Sequence, residues 1–161
     1  MRNNTYNNLG FGIISIASVL NIIKSLSVDK VFLIIPFFTH QELLAFLSNP
    51  RSEIKSIEQL VSHKINCFSN YNKRYFDSLV LAINSIQYLI DMEYAEFENG
   101  NLLLMKEMQF DSGMGKRADK IYRAANNVAK LLADNDIRVI SSDDHESIEK
   151  LINQIKNRNF K

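Results

Sequence analysis

The stretch FDSGMGKRADK, from Phe110 to Lys120, sets a glycine-bearing turn in front of a basic segment. A phosphate-binding loop has the form G-x-x-x-x-G-K-[ST]. Its backbone N–H groups wrap the phosphates, its Lys reaches the outer ones, and its hydroxyl holds Mg²⁺. With Gly115-Lys116 as the second half, the first glycine falls on Phe110 and the hydroxyl on Arg117. No continuous apolar run of a buried parallel strand feeds the turn. The segment therefore reads as a loop that ends a hairpin and starts a helix.

Other residues with chemical potential are sparse. His40, His63 and His145 show no metal-ligand spacing among themselves or with Cys67. Cys67 and His63 stand four residues apart, but no orienting acid or oxyanion loop accompanies them. As the single cysteine, Cys67 rules out an internal disulfide framework and reads as a small buried hydrophobe. His40, two residues before Glu42, suits a helix start better than a catalytic base. Asp143, Asp144, Glu146 and Glu149 could gather a divalent ion, but acids at a helix start are ordinary dipole chemistry. No catalytic residue, metal ligand or cofactor site is expected, and the chain does not read as an enzyme.

The basic residues are better organised. Lys116, Lys120, Arg123 and Lys130 recur at helical spacing, with Arg117 beside them. From 116 to 130 there are five basic residues and one acid, Asp119. The stripe lies opposite an apolar face, so reversing its charges is expected to leave folding intact. A solvated face is one reading. A contact to DNA phosphates or to an acidic partner is the other, favoured at Lys116 and Arg117 by the helix N-terminus.

These residues sit in a chain of 161 residues with a formal net charge of +1. That length fits one domain with a small appendage and suffices to bury a core. The balanced charge exerts no global pull toward nucleic acid or a membrane. The start, MRNNTYNNLG, is polar and lacks the form of a secretory signal. Phe11–Leu26 is the most apolar stretch, but Ser15, Ser18, Asn21 and Lys24 interrupt it. It falls short of the roughly 18 apolar residues of a spanning helix. A soluble, cytoplasmic protein without membrane contact is expected.

Periodicity predicts the elements. Leu9–Leu26 reads as a core helix buried on most sides, capped by Asn8. VFLIIPFF, 31–38, reads as helix on both sides of a break near Pro36. Thr39-His40-Gln41-Glu42 then offers a capping box, and Asn49-Pro50 ends that helix. A short helix spans 56–64, with Ser56 as cap, and a longer one spans 73–92 after a turn at 70–72. Phe76, Leu79, Val80, Ile83, Ile86 and Ile90 carry the apolar spacing of the longer helix. YAEFENGNLLLM holds an Asn99-Gly100 type I′ turn that pairs Phe97 with Leu102 and Ala95 with Leu104. An amphipathic helix follows over 117–134, then a short strand at 137–140 and a second amphipathic helix over 144–158.

The expected fold class is α+β, mostly α: a winged helix-turn-helix-like domain with one β-hairpin and added helices. Its boundaries are 1–142, followed by a C-terminal helical extension at 143–161. The helices at 56–64 and 73–92 would be the paired elements and the hairpin the wing. As a DNA reader the unit is poorly equipped. Its longer helix carries Lys73 and Arg74 only at the start, followed by Asp77 and Asp91. From Asp91 to Asp111 there are six acidic residues and one basic residue, Lys106. An acidic wing is repelled by the DNA backbone.

Four segments carry a resemblance to a family: YNNLGFGIISIASVL, LIIPFFTHQELLAFL, YFDSLVLAINSIQYLIDMEYAEFENGNLLL and NVAKLLADNDIRV. Together they resemble the middle component of bacterial three-component ABC systems, as in Lamassu-type anti-phage defence. In these systems a small subunit is encoded with an SMC-like ABC ATPase and an effector. The resemblance spans roughly residues 4–140 as a pattern of apolar blocks. Gln41-Glu42-Leu43 departs from it, because the family pattern often carries a basic or Thr-Arg pair soon after the His. The resemblance implies a non-catalytic adaptor that joins the ATPase to an effector such as a nuclease, with DNA met through the complex. Apolar residues left exposed would mark its partner surfaces. The candidates are Leu103 and Met105 on the outer hairpin face and Ile148, Leu151, Ile152 and Ile155 on the last helix. The alternative is a winged-helix transcriptional regulator, which predicts a homodimer and salt-sensitive, sequence-selective duplex binding.

Overall fold

The computed structural model describes residues 4–133, with side chains from residue 9 onward. It is mostly helical, with one small antiparallel sheet, so the α+β, mostly-α expectation holds. Helix α1, Asn4–Ile23, is apolar nearly all round and is accordingly deep in the core, with Ile16, Val19 and Leu20 fully buried. Its buried serines satisfy themselves locally. Ser15 Oγ donates to the Phe11 carbonyl at 2.7 Å and Ser18 Oγ to that of Ile14 at 2.6 Å. The helix begins at Asn4, so Asn8 lies inside it rather than capping it. It ends where Lys24 turns left-handed at φ 73°. Leu26, expected at the helix end, belongs instead to strand β1, Ser25–Ser27.

Two short helices follow, α2 Val28–Val31 and α3 Ile34–Thr39. The break falls at Phe32-Leu33, not at Pro36. Proline occupies the first turn of α3, where its missing N–H would have had no helical acceptor. Helix α4, Gln41–Ser48, is capped by His40, whose Nδ1 accepts from the Leu43 N–H at 3.2 Å. Thr39, the expected cap, is the last residue of α3 and donates to the Pro36 carbonyl at 3.2 Å. The apolar segments 28–39 and 41–48 are bent by 101° about this break. No single helix among the described residues is long and apolar enough to cross a membrane.

Helix α5, Ile57–His63, starts as expected: Ser56 Oγ accepts from the Gln59 N–H at 3.1 Å. The Gln59 side chain reaches back to the Lys55 N–H at 3.0 Å. A one-turn helix, α6 Ile65–Phe68, precedes the long helix α7, Tyr71–Asp91. The buried face of α7 comprises Tyr71, Tyr75, Ser78, Leu79, Ala82, Ser85, Ile86 and Leu89. Phe76 and Val80, expected among its core positions, are instead 38% and 67% exposed. The reason lies in α1. A Cβ on Gly12 would collide with Ser85 Oγ and come within 3.0 Å of Leu81 Cγ. This close approach draws the small residues of α7 against α1 and rotates Phe76 and Val80 outward.

The hairpin forms in the expected register. Strand β2, Ala95–Glu98, pairs with β3, Asn101–Leu104, with Ala95 opposite Leu104 and Phe97 opposite Leu102. Asn99 and Gly100 both take positive φ, 52° and 81°, as a type I′ turn requires. β1 joins the far side of β3, with Leu26 opposite Leu102, giving the order β1-β3-β2. A 3₁₀ turn at Ser112–Met114 and Gly115, at φ 101°, lead into helix α8, Lys116–Ala133. Its expected apolar face is buried from Ile121 through Leu132. α1 is the element that both α7 and α8 pack against, while α4 covers α8 and α3 covers α7. The strand expected at 137–140, the helix at 144–158 and the extension at 143–161 lie outside the described residues.

Candidate functional site

Cys67 and His63 are not arranged as a nucleophile and base. A break in the helical backbone at Lys64, φ −129° and ψ 40°, separates their helices. His63 Nδ1 lies 2.8 Å from the Gln59 carbonyl, which can only accept, so that nitrogen carries the proton. Cys67 is 1% exposed, and burial pushes its thiol up, away from thiolate formation. His40 spends its Nδ1 on the α4 cap. Among the described residues no three of His, Cys, Asp and Glu come together as metal ligands would.

The basic stripe forms, but it divides. Lys116, Lys120, Arg123 and Lys130 are exposed on α8, opposite the buried Ile121–Leu132 face. Arg123 pairs with Asp119 one turn back, at 3.0 Å. At about 100° per residue, Arg117 is turned away from this line. Its guanidinium lies over the Phe11 ring of α1, 4.2 Å from the centroid. Arg117 therefore contributes packing as well as charge. It lines a cleft of about 290 Å³ with Arg74, Thr39 and Asp77. Arg74 is largely engaged, donating to the Cys67 carbonyl at 2.8 Å and to that of Pro36 at 3.4 Å.

The other end of the stripe borders a larger groove, of about 600 Å³. One wall is α8, with Tyr122, Arg123, Asn126 and Lys130; the other is the turn 48–53 after α4. Asn127 holds the two walls together. Its amide donates to the Leu47 carbonyl at 2.9 Å and to the Ser52 carbonyl at 3.3 Å. The turn is further closed by Asn49, whose side chain accepts from the Arg51 N–H at 3.0 Å. Sequence reading passed over Asn127 and Tyr122. Asn127 falls on the apolar face of α8, and a polar residue at such a position is the signal that could have singled it out.

Further exposed surface lies on α7 and the hairpin. Phe76 and Val80 share one exposed line on α7, one turn apart, and Met92 is 53% exposed beyond its end. On the sheet, Met105 is 58% exposed, whereas Leu103 is half-buried between Ser25 and Glu96 in the neighbouring strands. Of the expected hairpin contacts, Met105 is thus the available one. Glu96 and Glu98 are exposed on the hairpin, and Glu93 stands before it. Ile148, Leu151, Ile152 and Ile155 lie outside the described residues. No family model, curated protein or solved structure matches this chain.

Proposed function

We propose that the chain is a non-catalytic adaptor that joins an SMC-like ABC ATPase to an effector in an anti-phage complex of the Lamassu type. One observation carries this reading: the outward face of α7 presents Phe76 and Val80, Val80 being 67% exposed. In a winged-helix unit this is the helix that would enter the major groove. A groove-reading helix offers hydrogen-bonding and cationic side chains to base edges and phosphates. This face sets the apolar Phe76 and Val80 beside Asn84 and a Lys73 already paired to Asp77 at 2.8 Å, so among the described residues it leaves no unpaired cation for phosphates, and the adjoining hairpin offers Glu96 and Glu98. Such a surface is suited to another protein.

The winged-helix description belongs to the same reading. Its support is the order of α7 followed by the β2–β3 hairpin, with β1 as a third strand. The partner of α7 in that description is α3, which packs against it, and not α5, which reaches it through α6. ATP hydrolysis and nucleic-acid cleavage would belong to the partners, in the cytoplasm. Affinity purification of the tagged chain from its native host, followed by mass spectrometry, tests this. A coiled-coil ABC ATPase and a second protein should be retained. A lone homodimer with salt-sensitive, sequence-selective duplex binding would establish the transcriptional regulator instead.

A further inference from the structure

We infer that the groove between α8 and the 48–53 turn binds single-stranded nucleic acid, with a base stacked on Tyr122 and the adjoining phosphates beside Arg123 and Lys130. The inference is independent of the adaptor reading, because the isolated chain carries the whole groove. Tyr122 is 53% exposed, on the solvent side of α8 with Arg123 and Asn126 and opposite the buried Ile121–Leu132 face. Its ring packs against Phe110, with centroids 5.6 Å apart and the planes tilted by 46°. That contact holds the ring in place while more than half of the residue stays open to solvent. An exposed, held aromatic ring beside two cations is the pairing that single strands use: stacking for the base and charge for the backbone.

The spacing along α8 supports the assignment. Arg123 is adjacent to Tyr122, Asn126 lies one turn on, and Lys130 a further turn beyond. Asn126 offers an amide that can donate and accept at a base edge. At about 600 Å³, the groove has the volume of a small-ligand cleft and room for a nucleotide unit. It is also preformed, because Asn127 ties the turn to the helix through two hydrogen bonds. A duplex is excluded by shape. Its bases are stacked inside a cylinder, and it is read by elements that project into its grooves, not by a recess in the protein. Glu53, the one acid among the described lining residues, lies on the turn and so places the phosphates on the α8 side, where Arg123 would exchange its ion pair with Asp119, at 3.0 Å, for the backbone.

The test is fluorescence anisotropy of the full chain with a labelled oligothymidylate of about 12 nucleotides across a salt series. The strand should bind, and a duplex of equal length should bind more weakly. Tyr122→Ala should weaken binding roughly tenfold or more, while Tyr122→Phe, which keeps the ring, should preserve it. Lys130→Glu should weaken binding and reduce the salt slope by about one. Glu53→Gln should tighten it. Circular dichroism confirms that each variant is folded. No binding at low salt, equal binding of duplex, or indifference to Tyr122→Ala would overturn the inference. So would displacement of the strand by a mononucleotide or by polyglutamate at matched charge, which would assign the groove to a small nucleotide or to an acidic chain.

Discussion

At the scale of single residues, the buried tyrosines of α7 show how burial sets chemistry. Tyr71 donates its hydroxyl to the Leu33 carbonyl at 3.0 Å, and burial pushes its phenol far above the usual range. Tyr75 is also buried, and its hydroxyl has no hydrogen-bond partner among the described residues. Burial, with the nearby Asp29 charge, pushes that phenol up to about 12. Both folded values lie above the unfolded value of 10.0, so folding favours the neutral phenols. Their contribution is therefore complete below pH 10 and is lost as pH rises through about 12. Urea unfolding followed over pH 8–12 should show stability falling at the alkaline end. Tyr75→Phe should leave stability equal or raise it by about 1 kcal/mol, since it removes an unpaired buried hydroxyl. A loss of that size would mean that the hydroxyl has a partner.

At the scale of elements, the turn chemistry was readable and the helix packing was not. Asn99-Gly100 specifies its own hairpin, because both positions need φ > 0, and the register follows from that turn. Ser56 and the apolar face of α8 were equally legible. The exact rotation of α7 was not. A helix with Phe76 and Val80 on one side and Ser78, Ala82 and Ser85 on another looks amphipathic toward the large residues. Leu79 and Ile86 are buried as expected, and Ile83 and Ile90 pack partly against the core; the outward turn of Phe76 and Val80 depends on Gly12, a residue of a different helix. Gly12→Ala should thus destabilise the fold by about 1–3 kcal/mol through overpacking. Gly10→Ala, where nothing lies within 4 Å, should be neutral or stabilise by up to about 1 kcal/mol. Equal effects of the two substitutions in thermal unfolding would contradict the close α1–α7 approach. α6 was invisible because a one-turn helix has no period to read, and β1 because Leu26 continues the apolar run of α1.

The basic stripe makes a related point about elements. Its spacing was legible, but the separate role of Arg117 was not, because the Phe11 ring that it covers comes from α1. Reversing all the charges at once is therefore a poor probe of function. Lys116→Glu with Lys120→Glu and Lys130→Glu should leave the melting temperature near that of the parent. Arg117→Glu should lower stability by about 0.5–2 kcal/mol through the lost ring contact. A melting temperature unmoved by Arg117→Glu would show that the contact contributes little.

At the scale of the whole molecule, the acids concentrate on the hairpin and the bases on the exposed side of α8. The acidic hairpin and the outward face of α7 lie at one part of the chain, and the basic side of α8 at another. The net charge of +1 conceals this, since it sums both elements. The resemblance to an adaptor family rests on apolar blocks, most of which are core: LIIPFF is buried almost throughout. Core blocks report a fold more readily than a function. The functional argument accordingly rests on residues that break the pattern, Phe76 and Val80 outside and Asn127 inside.

The central claim is that the outward face of α7 holds a protein partner. The most direct measurement compares retention of the ABC ATPase by the tagged wild-type chain and by a Phe76→Ser, Val80→Asp variant shown to be folded. Val80 is 67% exposed, and Phe76, 38% exposed, rests edge-on against the Tyr75 ring at 5.3 Å, so the variant should keep its fold at a cost of about 1–2 kcal/mol. The account predicts that the wild type retains the ATPase and that the variant loses it at least tenfold, as expected when central apolar contacts are removed. Undiminished retention by the folded variant would contradict the account and move the interface elsewhere on the molecule.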